Sequence, residues 1–242
     1  MHQFKAAGKL YLIPTTLGDT PPLEVLPLSV KKIIEQTDEF IVENEKSARA
    51  FIKRITPKKR QPSLILHTLN KHTDAADLPA YLNACEQGKP VGILSEAGVP
   101  GIADPGAEIV AMAHRRGIQV VPLVGPSSIL MAMMGSGLNG QNFAFNGYLP
   151  IDKQERRKEI KRLERISLEL NQAQSFIETP YRNTAMLEEL TKTLNDQTQL
   201  CVACDISLPT EFIITQPITE WRRKLPDLHK RPAIFIIQQL IK

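Results

Sequence analysis

The sequence predicts an α/β protein of two domains, and three observations carry that reading. Short apolar runs alternate with amphipathic stretches through the first half, the pattern of a mainly parallel sheet. In the second half some strand-like runs follow one another directly, which implies antiparallel pairing and a mixed sheet. The length of 242 residues, with 42% hydrophobic and 23% charged, suits one large domain or two small ones and excludes disorder, collagen and coiled coil. The division is expected near 122–126, giving domains 1–122 and 123–242.

In order, Lys9–Ile13 reads as a buried strand, and Leu26–Gln36 as a helix with Leu26, Val30, Ile33 and Ile34 at helical spacing. Glu39–Val42 (strand), Ser47–Ile55 (helix), Ser63–Leu66 (strand) and Asp77–Gln87 (helix) follow. Val91–Leu94, the helix Ala107–Arg115 and the strand Gln119–Val121 complete the first series. The second comprises the strand Phe143–Phe145, a charged helix Gln154–Leu170, the strand Ser175–Ile177 and the helix Ala185–Leu194. The strands Leu200–Ala203, Phe212–Ile214 and Ala233–Ile237 end it.

No apolar run approaches the roughly 20 residues that span a bilayer, and Met1 to Lys5 lack the apolar stretch of a secretion signal. Three cysteines form no disulfide framework and fit a reducing compartment, so a soluble, cytoplasmic protein without membrane contact is expected. Cys201 and Cys204 lie on a predicted strand, where residues three apart face opposite ways; buried thiols are expected there, and no metal. Trp221, at a predicted helix start among basic residues, is expected to pack on the surface. The net charge of +4 is small, but its basic residues cluster, in Lys53–Arg60, Lys153–Arg165 and Arg222–Arg231. In the second cluster Arg157, Lys161 and Arg165 recur at i, i+4 and i+8, one helical face suited to phosphate, while Ile160 and Leu163 point to the core.

Chemistry concentrates in loops after strands. Ser95–Gly106, rich in Gly and Pro, follows a buried strand, and there backbone can approach a ligand closely. Gly125-Pro126 breaks the chain before Ser127 or Ser128 caps a helix whose free N–H groups can hold polar ligand atoms. Pro14–Asp19 leaves the first strand with one glycine, and neither a dinucleotide fingerprint nor a P-loop occurs.

Pro14–Asp19, Ser95–Gly106, Gly125-Pro126-Ser127, Phe143–Pro150 and Ile177–Arg182 together, in this order, resemble the S-adenosylmethionine-dependent methyltransferases of the tetrapyrrole methylase superfamily. They are most similar to its ribosomal RNA small subunit methyltransferase I branch, which methylates a cytidine ribose 2′-oxygen. That branch carries S-D-A-G-x-P-x-x-S-D-P-G after the fourth strand, kept here except at Glu96 and Ala103. The resemblance implies two α/β domains, a homodimer, and S-adenosylmethionine bound in a cleft between the domains. Carried over by position, the cofactor contacts fall on Leu17, Glu96, Gly98, Ile102, Ser127 and Ser128, with Glu178 and Ala203 on strands of the second domain. Two segments depart from the branch. Its A-E-D-T-R reads Val42-Glu43-Asn44-Glu45-Lys46 here, and its R-E-L-T-K reads Cys204-Asp205-Ile206-Ser207-Leu208.

The function expected is methylation of RNA in the small ribosomal subunit, contacted by Arg157, Lys161 and Arg165. A ribose hydroxyl is a weak acid, so a carboxylate base is wanted; Glu43 and Asp104 are the catalytic candidates. The altered segments keep open a paralogue that binds cofactor without catalysis. A methyltransferase for a small tetrapyrrole is the third reading, opposed by the form of the 95–106 loop.

Overall fold

The structure is a computed structural model, described here for residues 8–240; the expectation about Met1 to Lys5 lies outside them. The chain divides into two compact units between Ser127 and Ser128. Among the described residues no helix is long and apolar enough to cross a membrane.

The first unit holds β1 (Lys9–Ile13), α1 (Pro22–Val25), α2 (Leu28–Gln36), β2 (Glu39–Val42), α3 (Glu45–Ile55), β3 (Ile65–Thr68), α4 (Asn83–Glu86), β4 (Val91–Leu94), α5 (Ala107–Arg115) and β5 (Gln119–Pro122). Its strands form one sheet in the order β3-β2-β4-β1-β5, every pair parallel. A parallel sheet is covered on both faces, so its strands must be apolar on both. Accordingly Leu10, Ile41 and Ile93 join one buried cluster, while Ile13, Phe40, Val42 and Leu94 join another. Because all five strands run the same way, the loops that leave β1, β2, β4 and β5 emerge at one edge.

Three expectations shift for local reasons, two of helices and one of a strand. Pro27, which lacks an N–H, stands at the N-cap of α2, so the helix starts at Leu28 and not Leu26. Over 77–87 a 3-10 turn with a proline in its first positions, Leu78–Leu82, precedes the single turn of α4. The 3-10 turn Gln61–Ser63, also with a proline, delays β3 to Ile65.

The second unit holds α6 (Ser128–Ser136), β6 (Phe143–Tyr148), α7 (Lys153–Glu169), β7 (Ala173–Ile177), α8 (Asn183–Thr193), β8 (Gln199–Cys204), β9 (Phe212–Pro217), α9 (Ile218–Trp221) and β10 (Ala233–Gln238). Its sheet runs β6-β7-β10-β8-β9, with β6 and β7 parallel and the remaining pairs antiparallel, as a mixed sheet requires. Ile160 and Leu163 of α7 are fully buried in its core with Phe176, Leu187 and Phe235. Trp221 does not pack on the surface. It closes α9 inside the same core, 2% exposed, and its indole Nε1 donates to Leu200 O at 2.8 Å, so the one polar atom of the ring is satisfied there. Cys201 and Cys204 are buried on β8, and burial pushes both thiols up to about 11.

Candidate active site at the carboxyl edge of the parallel sheet

The loops at this edge are tied to one another by hydrogen bonds. Thr15, just after β1, donates its backbone N–H to Gly98 O at 2.9 Å, and its hydroxyl donates to Ser95 O at 3.3 Å. The Ser95 hydroxyl donates to Gly98 O at 2.5 Å, closing the turn after β4. Gly98 adopts φ +75°, which a residue with a Cβ takes only under strain. A Cβ built there would stand 3.0 Å from Leu17 Cδ2 and 3.1 Å from Pro126 O, so the loops after β1, β4 and β5 meet around it. Gly125 serves a similar close approach, since a Cβ would fall 2.2 Å from Pro14 Cγ. Of the residues expected to hold a cofactor, Leu17, Gly98 and the segment that ends at Ser127 converge here, and Glu96 and Ile102 lie on the same loop after β4, both exposed.

Within the second unit the expected residues sit apart in kind. Ser128 opens α6. Ala203 is fully buried near the end of β8. Glu178, just past β7, is buried and already engaged: its Oε1 accepts from Thr179 N and from Arg182 Nη2, both at 2.6 Å.

The carboxylates Glu43 and Asp104, which the sequence marks separately, come together. Burial, then the charge of Glu43, a hydrogen bond with Glu43 and the charge of Glu96, push the Asp104 carboxyl from 3.8 up to about 7. Glu43 Oε1 and Asp104 Oδ2 are buried, and among the described residues neither accepts a hydrogen bond from a donor. A buried carboxyl beside a like charge ionises less readily, so Asp104 keeps its proton to higher pH. Ala103, immediately before, has φ +60°, a left-handed backbone that costs a residue with a Cβ roughly 1–2 kcal/mol. That strained residue sits in the turn that presents Asp104.

Asn44 stands where the resembling branch has an acid, and its role is local. Its Oδ1 accepts from Lys46 N at 2.9 Å and Ser47 N at 3.3 Å, making it the N-cap of α3. Asn and Asp cap equally well, so the exchange keeps the helix start. Asn44→Ala should lower the unfolding free energy by about 1 kcal/mol in urea titrations; an unchanged midpoint would deny the cap its weight.

Sequence reasoning passes over three neighbours of Glu96. The Ser47 hydroxyl donates to Glu96 Oε1 at 2.6 Å, and a cavity of about 170 Å³ is lined by Thr16, Ser47, Phe51, Arg54 and Glu96 among others. In the sequence Arg54 stands out only as one of a basic cluster. Its ion pair with Asp19 at 2.6 Å places it beside the loop after β1, and periodicity carries no signal for that.

On α7, Arg157, Lys161 and Arg165 are exposed, and each already faces a carboxylate: Glu189, Glu164 and Glu169 respectively.

A family model described as Tetrapyrrole (Corrin/Porphyrin) Methylases matches residues 9–221. A protein of Thermotoga maritima named ribosomal RNA small subunit methyltransferase I is 28% identical over 224 residues, spanning 90% of this chain and 94% of its own. One of the same name from Coprothermobacter proteolyticus is 30% identical over 206 residues, 79% of this chain and 88% of its own. Another, from Pasteurella multocida, is 27% identical over 238 residues, 97% and 80%. Among solved structures, the methyltransferase CobJ matches at TM-score 0.64 and 16% identity, over 96% of this chain and 94% of that one. The cobalt precorrin-4 methyltransferase CbiF matches at 0.59 and 14%, over 95% and 94%. At such identities the two structures bear on the fold alone.

Proposed function

The chain belongs to the tetrapyrrole (corrin/porphyrin) methylases, a family of S-adenosylmethionine-dependent methyltransferases, and from that premise we propose that it methylates a ribose hydroxyl of small-subunit ribosomal RNA. The names of the relatives, which align over most of their own length, support the RNA. The observation that carries the chemistry is the Glu43–Asp104 pair at the carboxyl edge of the parallel sheet.

The residues fit the cofactor. Gly98, without a Cβ, lets the loops after β1, β4 and β5 close tightly around it with backbone groups toward the edge, and Glu96 offers a carboxylate to hydroxyl or ammonium donors. Leu17, Glu96, Gly98, Ile102 and Ser127 would hold it, and the resemblance also assigns it Ser128, Glu178 and Ala203. When bound, S-adenosylmethionine supplies an electrophilic methyl group on a sulfonium. The chain's own part is to orient the acceptor and take its proton. Asp104, once ionised, accepts the hydroxyl proton as the oxygen attacks, and Glu43 shares that proton through the hydrogen bond between the pair.

Transfer of labelled methyl from the cofactor to isolated small ribosomal subunits tests this reading. Label in a ribose of the RNA is the expected result. Cofactor binding with no transfer to any RNA would favour the non-catalytic reading, and label in a tetrapyrrole would replace the substrate.

The phosphate face of α7 belongs to the same proposal. Replacing Arg157, Lys161 and Arg165 together by Gln should weaken RNA binding and flatten its salt dependence, with a slope change of at most about 0.9 for each phosphate no longer neutralised. Cofactor affinity should not change. Retention of both RNA affinity and slope would leave α7 a solvated helix whose cations serve Glu189, Glu164 and Glu169. A homodimer fits α6, whose Leu130 and Met134, one turn apart, are 53% and 83% exposed. A ribosomal RNA substrate fits an enzyme of the cytoplasm.

A further inference from the structure

We propose that Tyr181, His229 and Lys230 form a platform on the second unit on which an unpaired base of the RNA stacks while Lys230 takes the adjoining phosphate. This rests on the RNA reading above. Tyr181 lies between β7 and α8 and is 70% exposed. A single exposed aromatic ring is ordinary, but this one is built in. The His229 ring meets it edge-on, with centroids 6.2 Å apart and planes at 76°, and Lys230 Nζ lies 5.8 Å from the ring centroid.

The two loops that carry the three residues are pinned together. Lys230 N donates to Pro180 O at 3.0 Å, and the fully buried Asn183 donates through Nδ2 to Arg231 O at 2.7 Å. Arg231 is itself held, its Nε donating to Asp205 Oδ2 at 2.7 Å and its Nη2 to Thr210 O at 2.8 Å. Lys230 has φ +59°, a left-handed turn that the cross-loop bonds maintain. A surface ordered before binding loses little entropy when a ligand arrives.

Charge completes the argument. Arg182 is neutralised by Glu178 and Arg231 by Asp205, whereas among the described residues no carboxylate lies within ion-pair distance of Lys230. An exposed ring with a cation above it that no described carboxylate pairs with matches a single-stranded nucleic acid, whose bases present a π-face and whose phosphates present an anion at every step. A duplex hides those faces and offers the ring nothing.

Fluorescence anisotropy with the full chain decides it, using an unstructured oligouridylate and an RNA duplex of equal length as probes. Tyr181→Ala should weaken the oligouridylate about tenfold and leave the duplex unchanged. Tyr181→Trp should bind the single strand at least as well as the wild type. Lys230→Ala should reduce the salt slope by about 0.7, one phosphate on a single strand. Wild-type affinity in Tyr181→Ala, or an equal loss on both probes, overturns the platform while leaving the RNA substrate standing. If the unaltered protein binds neither RNA, both proposals fall. Tyr181-dependent capture of an acidic peptide in place of RNA would make the patch a protein-docking surface. Because Tyr181 is exposed, its variants should melt with the wild type, which a thermal scan verifies.

Discussion

Asp104→Asn should reduce methyl transfer by about 10²–10⁴-fold while leaving cofactor binding within a few-fold, because the change removes the group that takes the acceptor proton and nothing that defines the Gly98 turn. The pH profile separates this from a structural effect. A base must be ionised to act, and Asp104 ionises at about 7, so the wild-type rate should climb with pH through that value and then level. Glu43→Gln removes the neighbouring negative charge, one of the causes that hold Asp104 high, and should move the climbing limb to lower pH.

Stability should move in the opposite direction to activity. The Asp104 carboxyl sits at 3.8 ordinarily and at about 7 in the folded chain, so the fold binds this proton more tightly than the unfolded state does. Its contribution to stability is therefore greatest below 3.8, declines as pH rises from 3.8 to about 7, and is lost above that. The amide of Asp104→Asn cannot ionise and can still donate to Glu43. The variant should melt above the wild type at about pH 8.5, with the gap closing toward about pH 4. A variant that retains activity within about tenfold, or melts identically across that range, removes Asp104 from the proton-handling role.

The fold is legible in the sequence because its strands are apolar on both faces. Phe40, Ile41 and Val42 read as one run, and the structure divides them between two cores. Periodicity misleads where proline overrides it: Pro27 shortens α2, and a proline turns the start of 77–87 into a 3-10 turn. Trp221 misleads because its neighbours Arg222, Arg223 and Lys224, just past the end of α9, are exposed, and adjacency in sequence says nothing about which way a ring points. At the site, Glu43 and Asp104 stand out separately, one in an altered motif and one in a kept loop. Their meeting depends on β2 and β4 being parallel neighbours, a matter of sheet order that no local pattern encodes. Glu178 shows the converse. The sequence marks it, but not that Arg182 and the Thr179 N–H already occupy its Oε1.

Gly98→Val should weaken S-adenosylmethionine binding by more than tenfold, at least about 1.4 kcal/mol. The added Cβ would lie 3.0 Å from Leu17 Cδ2 and 3.1 Å from Pro126 O, closer than ordinary van der Waals approach on both sides. Leu17 ends in a flexible side chain and can yield, but Pro126 O is backbone in the segment that leads to Ser127, so relief must come from moving a loop expected to hold the ligand. The fold will not be indifferent either. Gly98 has φ +75°, and a β-branched residue there costs roughly 1–3 kcal/mol of backbone strain. The Gly98 carbonyl, which accepts from Thr15 N and from the Ser95 hydroxyl, couples that strain to the loop after β1. Calorimetry on the folded variant at a temperature well below its own melting point isolates the binding loss from the stability loss. Gly98→Ala, with the same Cβ and no branch, should fall between Val and wild type in both measurements. If Gly98→Val is destabilised yet binds the cofactor with wild-type affinity, the turn after β4 is only a structural joint, and the cofactor must be held elsewhere than beside Leu17 and Pro126.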